Sequence, residues 1–261
     1  MALPARTWFD RILRERANRR WAELADDKQG LASSRKRMLR EEALVLRRKL
    51  DQFLQRTDRR AEISGEALDA INLPIGTDWR WRPGFMTAPI VPEGVVSPEN
   101  GARLGQEAAV WHDCAERALI LEQMRNHRAT DLAPFGMRME IFAFAGSFLS
   151  VSIDLPQDAL QGLTRNYVLR LETGLAIERE MSVFARLNIA NGPNTDQILV
   201  KLDDLTPDAQ GHHITEFDLA ATEIDERRLQ KIWIDLIFER PTMNALEVRE
   251  LFVSRHLRAE F

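Results

Sequence analysis

"KIWIDLIFERPTMNALEVRELFVSR", residues 231–255, reads as two β-strands joined by a turn. In its second half Leu246 and Val248, then Leu251 and Val253, supply the apolar positions, with Glu247 inside the first pair and Arg249 and Glu250 between the two pairs. Successive side chains of a strand point to opposite faces, so such alternation gives one apolar and one polar face. No catalytic residue is evident in it. A patterned hairpin without chemistry is a structural part, and the stretches before it show what it belongs to.

Working back along the chain, the same period of two recurs. In "FLSVSIDLP" Leu149, Val151, Ile153 and Leu155 face one way, and Ser150, Ser152 and Asp154 the other, as in a half-buried antiparallel strand. "NYVLRLETGLAIE" repeats it with Tyr167, Leu169, Leu171, Leu175 and Ile177, and "MSVFARLNI" with Met181, Val183, Ala185, Leu187 and Ile189. "NGPN", residues 191–194, supplies turn chemistry, and "QILVKL" and "HITEFDLA" are further short strands. At least seven short strands separated by turn signals predict an antiparallel β-sandwich. A parallel sheet would need crossover helices, which the spacing leaves no room for.

The first third differs. Phe9, Leu13, Ala17, Trp21 and Leu24 fall on one helical face, Gly30 interrupts, and Ser33 and Ser34 offer an N-cap for a second helix. There Leu39, Ala43, Leu46, Leu50 and Phe53 alternate spacings of four and three, the rhythm of a short coiled coil. Leu39, Leu46, Leu50 and Phe53 are therefore candidate oligomerisation positions, and a helical hairpin folded on its own body is the other reading. Residues 1–60 carry 17 Lys and Arg against 9 Asp and Glu, a net +8, and residues 61–261 a net −12. A basic arm of residues 1–60 thus precedes a Pro- and Gly-rich strap (61–104) and an acidic sandwich (105–261). No apolar run reaches the length of a membrane span, and the N-terminus lacks the apolar core of a secretory signal, which predicts synthesis in the cytoplasm.

Catalytic motifs are few. Cys114 is the single cysteine, so neither an internal disulfide nor a multi-cysteine metal site is expected. His112, Asp113 and Cys114 are adjacent, but in a strand His112 and Cys114 lie about 6–7 Å apart and Asp113 points away, so no triad is ready-made. His212 and His213 read as a hairpin tip, and His127 and His256 stand alone. The acids Asp203, Asp204, Asp208, Asp225 and Glu226 are scattered through loops. No phosphate loop, dinucleotide fingerprint or zinc-protease helix is present, and no cofactor is expected. "DWRWRPGF" places Trp79 and Trp81 on one face and Arg80 and Arg82 on the other. Trp79, Trp81 and Arg82 are candidate ligand-binding residues, a flat platform for a sugar ring. Alternatively the two rings pin the strap to the sandwich.

"DWRWRPGF", "LAPFGMRMEIFAFAGSFLSVSIDLP", "FARLNIANGPNTDQI", "EFDLAATEID" and the opening hairpin resemble an uncharacterised family of alphaproteobacterial proteins over about residues 78–261. The closing hairpin is similar to the last hairpin of galactose-binding-like jelly-roll carbohydrate-binding modules. The sandwich pattern, the paired tryptophans and the absence of a catalytic constellation lead to the expectation of a non-enzymatic binding or assembly module, and the likeness to carbohydrate-binding modules implies a cell-surface polysaccharide as its ligand. The basic arm lies outside this resemblance; a helical arm that forms a homo-oligomer or meets other particle proteins, ahead of a jelly-roll head, would suit a head spike of a phage-like gene transfer agent. The alternatives are a glycan-active enzyme using a carboxylate pair on the sandwich, and an anion or nucleic-acid binder acting through the basic arm, nucleic acid being the less expected partner.

Overall fold

The computed structural model describes residues 15–24, 33–57, 73–128, 130–202, 205–207 and 211–259. The chain divides into two compact units, Met1–Phe53 and Leu54–Phe261. The first is helical: α1 runs through residues 15–24, and α2, Ser33–Thr57, takes in both Ser33 and Ser34, the serines read as candidates for its N-cap, as its first helical residues. Of its candidate oligomerisation positions Leu39 is buried and Leu46 is exposed, as are Met38 and Val45 beside them. The Leu50 and Phe53 side chains lie outside the described residues. No helix among the described residues is long and apolar enough to cross a membrane.

The second unit is a sandwich of two antiparallel sheets. Its strands are β1 (Thr77–Trp81), β2 (Gly94–Val96), β3 (Ala102–Leu104), β4 (Ala108–His112), β5 (Leu119–Arg125), β6 (Phe135–Ile141) and β7 (Leu149–Asp154). There follow β8 (Tyr167–Ile177), β9 (Val183–Asn191), β10 (Asn194–Lys201), β11 (Gly211–Asp218), β12 (Leu229–Phe238) and β13 (Asn244–Leu257). One sheet has the order β11-β8-β13-β6-β5-β2, with β1 also pairing with β13, and the other β10-β9-β12-β7-β4-β3. The expected strap is part of this body: besides a short helix, α3 (Gly84–Thr87), it contributes β1 and β2 to the larger sheet and β3 to the smaller.

The alternating residues of β7 and β9 bury as predicted: Leu149, Val151 and Ile153, and Ala185, Leu187 and Ile189, line the core, and Ile232, Ile234 and Leu236 of β12 join them. The predicted hairpin of residues 231–255 becomes β12 and β13, which lie in different sheets and so do not pair with each other. The step of three between Val248 and Leu251 is explained by a register shift against β8 between Val248 and Glu250, one extra residue that resets the faces. β13 is long enough to pair with β6 over Asn244–Val248 and with β1 over Val253–His256.

Candidate functional site

Because the core face of the six-stranded sheet is apolar, its polar alternates all point outward. The register sets them in rows across the strands. Arg186 of β9 is opposite Asp235 of β12, which is opposite Ser152 of β7, then Ala109 of β4 and Arg103 of β3. One step along, Trp233 of β12 faces Asp154 of β7, and on the other side Ser150 of β7 faces Trp111 of β4. The floor is thus made of the small residues Ser150, Ser152 and Ala109, with a tryptophan standing at either diagonal end. This combination hollows a groove of about 340 Å³ in the outer face. Strand spacing and rise put the two tryptophan α-carbons roughly 16 Å apart.

Each wall is held. The Trp111 indole leans along its strand and donates Nε1–H to Ser152 Oγ at 2.7 Å, which leaves the ring 42% exposed. Behind it lies Gly101, with φ +82°, where a Cβ would come within 3.3 Å of the ring, so glycine serves both the backbone and the close approach. Phe148, 44% exposed, joins this wall from the turn before β7. Asp113 fixes that turn by accepting from the backbone N–H of Ser147 at 2.7 Å and of Phe148 at 3.3 Å, and from Ser147 Oγ–H. The ring of Trp233 carries the Lys231 ammonium 5.2 Å from its centroid.

The charges are interleaved. Arg186 donates Nε–H and Nη2–H to Asp235 Oδ2 at 3.0 and 2.8 Å, and Asn188 Nδ2–H reaches the same oxygen at 2.9 Å. Lys231 Nζ meets Asp154 Oδ1 at 2.8 Å and Arg103 Nη2 meets Oδ2 at 3.0 Å. Burial acts to raise the Asp154 carboxyl, but the hydrogen bonds and charges of Lys231 and Arg103 outweigh it and hold it below its ordinary value.

The residues singled out in the sequence lie elsewhere. Trp79 and Trp81 do share a face, but β1 turns that face inward, where both rings pack against the core. Arg82 is buried against Glu250, with Nη2 at 2.7 Å from its carboxylate. The pair and its arginine therefore do not form an open platform, because pairing with β13 decides which way the face turns. His112 is buried, its Nδ1 accepting the Cys114 N–H at 3.2 Å and its Nε2 3.0 Å from the Pro98 carbonyl, while the Cys114 thiol is buried and free. His212 and His213 sit within β11 rather than in a loop, since this segment finds a partner in β8, and His212 Nε2 lies 3.3 Å from Glu172. Asp225 and Glu226 accept from the backbone N–H of Arg227 and Arg165, and Asp203, Asp204 and Asp208 lie outside the described residues. Among the described residues no group of three or more His, Cys, Asp or Glu side chains is arranged to hold a metal ion. Trp111 and Trp233 were missed. The signal for Trp233 was its place between Ile232 and Ile234, which puts an indole on the face away from the core.

A family model described as a family of unknown function, DUF6478, matches residues 1–261, the arm included. No curated protein matches the sequence. Among solved structures the chain is similar to the CBM22-1 xylan-binding domain of Xyn10C from Paenibacillus barcinonensis, at 8% identity over 64% of this chain and 94% of that one, with a TM-score of 0.39. It is similar to a family 11 carbohydrate-binding module from Clostridium thermocellum, at 11% identity, 62% and 94% coverage and a TM-score of 0.36. It is also similar to the enzymatically active domain of tailspike protein 4 of bacteriophage CBA120, at 6% identity over 58% of this chain and 19% of that one, with a TM-score of 0.40.

Proposed function

For a chain that belongs to DUF6478, we propose a non-catalytic role: the outer groove of the six-stranded sheet holds a stretch of polysaccharide. The observation that carries this reading is the outward pair Trp111 and Trp233 at diagonal corners of a floor of serine hydroxyls and carboxylates. Aromatic faces take the C–H side of sugar rings, and fixed polar groups between them take the hydroxyls. A span of roughly 16 Å between the corners suits several linked rings better than one.

Asp154 and Asp235 are a carboxylate pair in this groove, so the chemistry of glycoside cleavage is the natural rival. Cleavage needs one carboxyl that keeps its proton near working pH. Asp154 is held ionised between Lys231 and Arg103, and Asp235 Oδ2 already accepts three hydrogen bonds from Arg186 and Asn188. Both serve better as acceptors than as acids.

The arm, residues 1–60, is assigned to mounting this module, through Leu39, Leu46, Leu50 and Phe53, on a second copy or on other proteins of a larger particle such as a phage-like head spike. The test of the groove is retardation of the full chain in gels containing soluble polysaccharides, beside the Trp111→Ala/Trp233→Ala double variant. Binding by the native chain and its loss in the double variant are expected. Equal binding by both proteins, or release of reducing ends from any retarding polymer, would end the proposal.

A further inference from the structure

Resting on the groove reading, we infer that the polymer is a neutral, hydroxyl-rich polysaccharide and not an acidic one. The three cations that line the groove are each engaged by a carboxylate of the same groove. Arg186 is committed through two N–H groups to Asp235, while Lys231 and Arg103 take one oxygen each of Asp154. Arg103 also donates to the Gln106 carbonyl, and Lys231 also rests on the Trp233 ring. Capturing a uronate or sulfate with full strength would mean drawing one of these cations off its carboxylate. For Arg186 that would strand Asp235, whose side chain is only 6% exposed, and breaking such a buried pair is strongly unfavourable.

What the groove leaves open is acceptor capacity. All three donors to Asp235 land on Oδ2, and among the described residues none reaches Oδ1. The Ser152 hydroxyl accepts from Trp111 and keeps its own hydrogen to give, and Ser150 lies beside it on the floor. A neutral sugar presents hydroxyl groups that donate to such carboxylates and accept from such serines. Its C–H faces meet the exposed Trp111 indole and the half-buried edge of Trp233, and the ligand brings no charge of its own that has to leave water. Hydrogen bonds to a charged acceptor are the stronger kind, so Asp235 gives orientation as well as affinity.

The full chain would be run against two sets of soluble polymers, xyloglucan, mixed-linkage β-glucan and galactomannan on one side and polygalacturonate and alginate on the other. Each is run at low and at about 0.5 M salt, where exposed charges are largely screened. A neutral polymer is expected to retard the native chain, with affinity changed less than about twofold by the salt. Asp235→Asn is expected to weaken that binding about tenfold or more, the worth of a charge-assisted hydrogen bond, with thermal unfolding as the check that the variant is folded. Preference for polygalacturonate or alginate, lost in salt and lost in Trp111→Ala/Trp233→Ala, would overturn this inference and leave the groove reading standing. Retardation by neither set, or retardation indifferent to the two tryptophans, would remove the groove reading and this inference with it.

Discussion

Replacing Arg255 by methionine tests how the strap is held to the sandwich. Arg255 is buried near the end of β13 and makes four hydrogen bonds. Nε–H and Nη2–H reach the two oxygens of Asp78 in β1 at 2.8 and 3.0 Å. Nη1–H reaches the carbonyls of Ala159 and Gln161 at 3.1 and 2.8 Å, in and after a single helical turn, Gln157–Leu160. The guanidinium also lies 4.7 Å from the Tyr167 ring centroid, and Tyr167 Oη–H donates to Asp78 at 2.9 Å. Methionine keeps an unbranched apolar stem but removes every donor. The Asp78 side chain is 40% exposed, so water replaces much of its loss, worth about 1 kcal/mol. The two carbonyls lose charge-assisted bonds in a poorly hydrated setting, at about 1–1.5 kcal/mol each. The sum is about 3–4 kcal/mol, and at about 2–4 °C per kcal/mol for a body of this size it lowers the midpoint by about 6–16 °C. Thermal unfolding followed by circular dichroism reads the shift, and hydrogen exchange should show the β1 amides opening first. A midpoint within about 2 °C of the native chain would refute the reasoning. So would an Asp78→Asn change that costs as much in the Arg255→Met background as alone, since residues sharing one contact are not additive.

Trp111→Ala removes an exposed indole surface of about 100 Å², 42% of a large aromatic side chain. Covering half to all of it with a sugar is worth about 1.3–2.6 kcal/mol, so calorimetric affinity for a retarding polymer should fall about 10- to 80-fold. Acid should act on stability in two opposed ways, read by denaturation across pH. Asp78 and Asp154 have lowered carboxyls, burial being outweighed by Arg255 and Tyr167 in the one and by Lys231 and Arg103 in the other. The stability they add is full above the ordinary carboxylate value and is lost as pH falls through their lowered values. Glu250 is raised by burial that Arg82 does not fully offset, so its contribution is present below the ordinary value and lost as pH rises through the raised one. Asp78→Asn should therefore flatten the acid limb, and an unchanged limb would contradict the assignment. Light scattering of the full chain against residues 61–261 should show an oligomer only with the arm present, and Leu46→Asp should weaken it. A monomer in both would remove the arm from assembly.

The sequence made the sheets legible because alternation is a local property. The pleat sends neighbouring side chains to opposite faces whatever the partner strand, so Leu149, Val151 and Ile153 declared a core face before any pairing was known. It also showed that Trp79 and Trp81 share a face, but not that β13 would turn that face inward. His212 and His213 passed for a loop tip, since nothing local marks that β8 runs alongside them.

By itself, then, the sequence determined a helical, basic start, an antiparallel two-layer body and the inward set of residues, all governed by interactions a few residues long. Only the tertiary structure decided which strands lie side by side. That order brings Trp111 and Trp233, far apart in the chain, to one surface, sets Ser150 and Ser152 low between them and places a carboxylate against each cation. A groove of this kind is a property of cross-strand register, which is set by long-range pairing and not by any single strand's pattern.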